Sequence, residues 1–235
     1  LSAKGVQKLT VKVTDSTDKG FQPHGKQVLE PHGIWYTPVT GIWQTVWIEP
    51  VPAANRIEGI TTRSDIRAGV LSVDVKTART GSDRVCVTLS ADGKTLAERS
   101  SMAGQPVHLA VEHPRLWSPD DPYLYDLTVT LLRDGRVIDR AESYAALREI
   151  ATGRDANGIE RMTLNGRPLF HFGPLDQGWW PDGLYTAPTD EALLYDIRFT
   201  KQLGFNMIRK HIKVEPERWY WHCDREGILV WQDMP

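Results

Sequence analysis

Tyr125-Asp126-Leu127-Thr128-Val129-Thr130-Leu131 alternates apolar and polar residues, and Asp134-Gly135 follows closely. A period of two puts Tyr125, Leu127, Val129 and Leu131 on one face of a strand, and Asp126, Thr128 and Thr130 on the other. Asp and Gly tolerate positive φ, so the pair marks a hairpin between a strand over 123–132 and another over 137–144. Toward the N-terminus the signature recurs. Residues 57–63, 69–77, 85–90 and 95–100 read as strands, the last two joined by the turn Ala91-Asp92-Gly93-Lys94, and 107–111 adds one more. Strands at this spacing over about a hundred residues fit an immunoglobulin-like β-sandwich covering 53–150.

The flanks differ from this centre. Leu9-Thr10-Val11-Lys12-Val13 alternates within a strand over 6–14, and Gly41-Ile42-Trp43-Gln44-Thr45-Val46-Trp47-Ile48 reads as a second, stopped by Pro50 and Pro52. Two strands do not make a sandwich, so 1–52 is read as the closing strands of a domain that begins earlier. After residue 150 the periodicity changes. Strands over 161–164 and 168–172 flank the turn pair Asn165-Gly166. Thr189 or Asp190 can cap a helix to Leu203, with Leu193, Leu194, Ile197, Thr200 and Leu203 as its apolar stripe and Gly204 as its stop. A short strand over 205–208 follows. Pro216 opens a second helix that carries Trp219 and Cys223 inward and ends at Gly227, and 228–231 is another strand. Strands alternating with helices predict a parallel sheet with right-handed crossovers. The fold class is mainly β with a C-terminal α/β part: a sandwich followed, over 151–235, by the first βα units of an incomplete (β/α)8 barrel.

Composition removes several classes of function. Hydrophobic residues are 40% and charged residues 25%, and the formal net charge is −2 without a basic run, which argues against nucleic-acid binding. No stretch is apolar enough to predict a membrane-spanning helix. The start, Leu1-Ser2-Ala3-Lys4, has no signal-peptide pattern, and the compartment is left open. Cys86 and Cys223 form neither a disulfide framework nor a metal-ligand spacing, and Cys86 is expected as a small buried hydrophobe. No Ser-His-Asp pattern, phosphate loop or metal cluster is present, so neither cofactor nor metal is expected. Nine Trp residues are unusual. Some belong in cores; others offer flat faces to sugar rings.

In α/β barrels, reactive groups sit at the C-terminal ends of strands and in the loops just after them. Three segments qualify: Gly173-Pro174-Leu175-Asp176-Gln177-Gly178-Trp179-Trp180, then Arg209-Lys210-His211, then Gln232-Asp233. They nominate Asp176, Trp179, Trp180, Arg209, His211 and Asp233 as substrate-binding residues. Each has a plainer reading: core-filling rings for the tryptophans, a structural ion pair for Arg209, a satisfied imidazole for His211, loop caps for Asp176 and Asp233. No catalytic residue is nominated. Glu215, just before a helix, and Glu226, at the end of one, read as solvated.

Several runs carry a resemblance. Residues 41–48 resemble the strand that ends the jelly-roll domain of glycoside hydrolase family 2. Leu116-Trp117-Ser118-Pro119-Asp120-Asp121-Pro122-Tyr123-Leu124-Tyr125 is similar to the signature of that family's immunoglobulin-like domain, and Leu164-Asn165-Gly166-Arg167-Pro168-Leu169 to its entry into the barrel. Lys201-Gln202-Leu203-Gly204-Phe205-Asn206-Met207-Ile208-Arg209, then Trp219-Tyr220 and Cys223-Asp224-Arg225-Glu226-Gly227, resemble its first two βα units. The ordered set spans nearly the whole chain.

The resemblance implies retaining hydrolysis of a β-glycoside or oligosaccharide by two glutamates, whose carboxyls lie roughly 5–5.5 Å apart in such enzymes. It puts both on later barrel strands, the acid/base after an Asn, and neither position occurs before Pro235. The chain alone is therefore expected to be inactive, and its open barrel edges to favour homo-oligomers. Two departures concern the sugar pocket. Leu175-Asp176-Gln177-Gly178 stands where many members have Asn-Arg-His-Glu, and the histidine after Arg209 comes one residue early. The segment before Gly41, with Trp35 and Tyr36, also lacks the Asp-rich sequence of well-known β-galactosidases. Galactoside, glucuronide and mannoside stay open, galactoside being the commonest activity of the family. The competing reading is a non-catalytic carbohydrate-binding or protein-interaction β-sandwich module.

Overall fold

The structure, a computed structural model, describes residues 4–235. Its centre is a two-sheet β-sandwich. One sheet has the order β1-β2-β5, built from Ile57–Asp65, Val70–Thr77 and Val107–Ala110. The other runs β4-β3-β6-β7, from Lys94–Met102, Arg84–Ala91, Tyr125–Arg133 and Arg136–Ala145. All these pairings are antiparallel, with Leu127 opposite Leu89 and Val129 opposite Val87. Alternation therefore drives Leu71, Val73, Val85, Val87, Leu89, Leu127, Val129 and Leu131 into one apolar core. The hairpin pairs behave as their residue types require: Asp92-Gly93, Asp134-Gly135 and Asn165-Gly166 all take positive φ.

Two expectations need correction. Cys86 is only half-buried, because Val85, Val87 and Leu89 hold the inward face of β3 and leave Cys86 on the other. The strands expected over 6–14 and 41–48 are not formed among the described residues. That segment carries a single isolated bridge, between Gln27 and Tyr36. A strand is defined by a neighbour that satisfies its N–H and C=O groups. Here the alternation exists without a ladder, and Leu9, Val11, Val46 and Ile48 lie exposed.

Beyond the sandwich, β8 (Ile150–Arg154), β9 (Glu160–Leu164) and β10 (Arg167–Pro168) form a small antiparallel sheet. The sequence reading missed β8 and ran the β10 strand on to residue 172. Then come β11 (Leu175–Asp176), α1 (Asp190–Gln202), β12 (Met207–Lys210), α2 (Glu217–Glu226) and β13 (Leu229–Gln232). The three strands form a parallel sheet in the order β11-β12-β13. The first parallel strand is thus 175–176 and not 168–172, so Asp176 lies in the strand. Thr189 caps α1 by accepting from the Ala192 amide, and Gly227 ends α2 in a left-handed conformation. Of the expected stripe on α1, Leu193, Ile197 and Thr200 are buried while Leu203 is exposed.

One small core joins these parts. Trp117 from the sandwich is completely buried with Leu164 of β9, Met207 of β12 and Leu229 of β13. Its indole Nε1 donates to the Asp224 carbonyl at 2.7 Å, and the Arg148 guanidinium lies 4.4 Å from its ring centroid. The Asp224 carboxylate accepts from Arg148 at 3.0 Å and from the Tyr144 hydroxyl at 2.9 Å. The motif around residue 117 is therefore a seam between the sandwich and the α/β part.

Candidate functional site

The C-terminal ends of β11, β12 and β13 lie side by side, with Asp176 registered to Lys210 and Lys210 to Gln232. This gathers four of the six nominated residues into two separate clusters. In the first, Arg209 Nε donates to both oxygens of Asp233 at 3.1 Å, and His211 Nδ1 lies 3.3 Å from Asp233 Oδ2. The Arg209 guanidinium beside Asp233 holds that carboxyl below the usual range. Half of the Arg209 side chain is exposed, so this cluster opens to solvent mainly through its guanidinium, with Asp233 and His211 partly buried behind it.

The second cluster is closed. Asp176 Oδ2 accepts from Lys210 Nζ at 2.6 Å, and its Oδ1 accepts from the Gly178 amide at 2.8 Å. Lys210 also donates to Glu215 Oε1 at 3.0 Å, and the same oxygen lies 3.0 Å from Lys213 Nζ. Both lysine side chains are 1% exposed. Glu215 is itself buried, against the expectation of a solvated residue, because two ammonium groups on the strand-end segment draw it inward. Glu226 is half-buried in an ion pair with Arg198. The pattern rules had no reason to nominate Lys210, Lys213 or Glu215. A lysine at or just past a strand end normally snorkels to water, and only the register of β11 against β12 puts Asp176 opposite Lys210.

The nominated tryptophans part company. Trp180 packs against the core of α1 and α2, and its indole N–H is buried without an acceptor among the described residues. Trp179 joins a chain of rings: its centroid lies 5.1 Å from that of Tyr36 and 5.5 Å from Tyr185, which is 4.7 Å from Trp43. Two of these rings come from the N-terminal segment and two from the loop after β11. Burial pushes the Tyr185 phenol up to about 12, so at neutral pH it keeps its proton and is a donor. Beside this wall opens a cleft of about 390 Å³, lined among others by Asp15, His24, Gln27, Trp43 and Tyr185. Aromatic faces with a few polar groups at that size suit one small hydroxylated ring. Among the described residues no group of three or more His, Cys, Asp or Glu is arranged to hold a metal.

Residues 55–148 match the family model described as "Glycosyl hydrolases family 2". A protein of Formosa agariphila, provisionally named a β-glucuronidase, is 30% identical over 220 residues, 88% of this chain and 20% of its own length. A β-galactosidase of Halalkalibacterium halodurans is 25% identical over 99% of this chain and 22% of its own. The chain thus spans about a fifth of these relatives. Among solved structures, a glycosyl hydrolase family 2 member from Bacteroides cellulosilyticus superposes with a TM-score of 0.66 at 25% identity, over 77% of this chain and 26% of that one. A Bifidobacterium dentium β-glucuronidase complexed with coumarin-3-O-glucuronide gives 0.68 at 22% identity over 77% and 31%, a likeness of fold. Together the matches support a relation to the family 2 β-glycosidases.

Proposed function

We propose that this chain provides the substrate-holding wall of a retaining β-glycoside hydrolase of family 2 and does not itself carry the catalytic carboxylate pair. On this reading it comprises the end of a jelly-roll domain (1–52), an immunoglobulin-like sandwich (53–150) and the first βα units of a TIM barrel (151–235). The observation that carries the proposal is the state of the strand-end carboxylates. A retaining enzyme needs one free carboxylate as nucleophile and one carboxylic acid with a raised pKa. Asp176 and Glu215 are bound to buried ammonium groups, and Asp233 is held below the usual range by Arg209. Each is tied to a cation, and none stands as a free carboxyl. What the chain does offer is the ring wall of Tyr36, Trp43, Trp179 and Tyr185, together with Arg209, His211 and Asp233 as hydrogen-bonding groups. Arg209, as a planar donor fork, would suit a sugar carboxylate, and so a β-glucuronide is preferred over a neutral glycoside.

The test is a panel of chromogenic β-glucuronides, β-galactosides and β-mannosides, scored for both turnover and binding. The chain is expected to bind the glucuronide without hydrolysing it. Turnover that Asp176→Asn, Glu215→Gln or Asp233→Asn abolishes would overturn the proposal. The edges of the parallel sheet leave Phe172, Trp231 and Met234 exposed, and self-association through them is part of this reading. Sedimentation velocity reports it directly.

A further inference from the structure

We infer that Lys213 is a positioning residue: its buried ammonium holds the aromatic wall together and fixes the N-terminal segment against the α/β part. The inference rests on the preceding reading only in taking that wall to face the sugar. An ammonium group has three protons to donate. Lys213 Nζ meets the Gly178 carbonyl at 2.6 Å, the Tyr185 carbonyl at 2.8 Å and Glu215 Oε1 at 3.0 Å, so all three have acceptors. Its other surroundings are two rings, with centroids 4.5 Å away for Tyr185 and 5.2 Å away for Trp43. Cation–π attraction is strongest where water is excluded, as it is here.

These contacts reach three stretches of chain, and no strand ladder ties the N-terminal one to the other two. Gly178 and Tyr185 bound the loop that carries Trp179, and Glu215 belongs to the segment after β12. Trp43 belongs to residues 4–56, which pair with no strand of the α/β part. Trp43 is tied to the same loop by its ring contact with Tyr185 and by its carbonyl, which accepts from Thr186 Oγ1 at 3.1 Å. The loop itself is packed down on the ammonium. A Cβ on Gly178, whose φ is +67°, would sit 2.6 Å from Glu215 Oε1 and 3.1 Å from Lys213 Nζ. Losing the charge leaves two carbonyls and a carboxylate with less to hold them, and frees the Trp43 ring from its cation. The expected result is a shifted wall on a sandwich that stays folded, since the sandwich core contains none of these residues.

The test uses this chain and Lys213→Ala, with propylammonium or propanol added back, and a thio-linked p-nitrophenyl β-glucuronide as the non-hydrolysable probe. Three readouts are followed: near-ultraviolet circular dichroism of the ring cluster, protease cleavage within residues 4–52, and glycoside affinity. Lys213→Ala is expected to lose most of the near-ultraviolet signal, to be cut faster in that segment, and to bind the probe about tenfold or more weakly, because small misplacements of binding groups are costly. Propylammonium should restore all three and propanol none, a difference that simple loss of packing would not produce. Unchanged signals, or equal rescue by propanol, overturn the inference. Should Lys213→Ala fail to fold, Trp43→Leu decides: faster cleavage of the N-terminal segment supports the role, and wild-type cleavage refutes it. Should the unaltered chain bind no glycoside, the functional reading fails, while the dichroism and cleavage results still decide the role of Lys213.

Discussion

Replacing Trp117 with alanine tests the seam between the sandwich and the α/β part. Trp117 is completely buried, and its neighbours are Leu164, Met207 and Leu229, none of which belongs to the sandwich core. Trp→Ala at such a site costs about 3–5 kcal/mol, through lost transfer energy and the cavity left behind. It also removes the donor to the Asp224 carbonyl and the ring beneath Arg148. Against a total stability of about 5–15 kcal/mol this is a large fraction. The loss should fall on the seam, because the sandwich keeps its own apolar core. Urea denaturation followed by hydrogen exchange is therefore expected to split into two transitions. Peptides from 160–235 should open at a midpoint lower by about 1 M or more, given slopes of about 1–3 kcal/mol/M. Peptides from 70–133 should open close to where they do in the unaltered chain. Trp117→Phe keeps most of the packing and removes the indole N–H, which isolates a cost of about 1–3 kcal/mol for the stranded carbonyl. A single transition with an unmoved midpoint would refute the seam, and so would a loss confined to 70–133.

Three further outcomes are expected. Asp83, paired with Arg133 and Asn55, is held down to about 2, below the ordinary carboxylate value of about 3.9. Its contribution is complete above pH ~3.9 and lost as pH falls toward 2. The acid sensitivity of the sandwich should shrink in that window in Asp83→Asn, and an unaltered pH slope in the urea midpoint would refute this. Gly178→Ala forces a Cβ against Glu215 in a left-handed conformation and should destabilise the α/β part by about 1–3 kcal/mol in thermal melts. A wild-type melting temperature would show that the loop yields freely. Asp233→Asn should cost less than about 1 kcal/mol of stability, because its ion pair is partly exposed, yet weaken glycoside binding about tenfold by releasing Arg209 and His211. The reverse pattern, lost stability with unchanged affinity in titration calorimetry, would assign the trio to structure.

Elements whose partners lie nearby in sequence could be read from residue pattern alone. The hairpins at 92–93, 134–135 and 165–166 are local chemistry, and the strands on either side of them alternate because one face meets a core. The caps of α1 and α2 were legible for the same reason. Long-range pairing decided what was not. The segments 6–14 and 41–48 have strand-like composition, but a ladder needs a neighbour that pattern cannot supply. β11 is two residues long, too short for any periodicity, and exists because β12 lies alongside it. In the site, the partly exposed trio Arg209, His211 and Asp233 followed from the strand-end rule, whereas Lys210, Lys213 and Glu215 did not. Their burial depends on the meeting of two strands, a loop and a remote aromatic segment.

That contrast also explains why the buried cluster uses charge. An apolar side chain at 213 would fill the same space, but it would leave the Gly178 and Tyr185 carbonyls without their ammonium donor. The two carbonyls bound the loop that carries Trp179 to the wall, and Gly178 opens it in a left-handed conformation. A buried donor with several protons answers that need, and Glu215 balances the charge of Lys213 as Asp176 balances that of Lys210. The stability cost of burying Lys210, Lys213 and Glu215 accompanies a loop shaped to present rings. The partly exposed trio of Arg209, His211 and Asp233 carries less of that burden and opens toward solvent through Arg209.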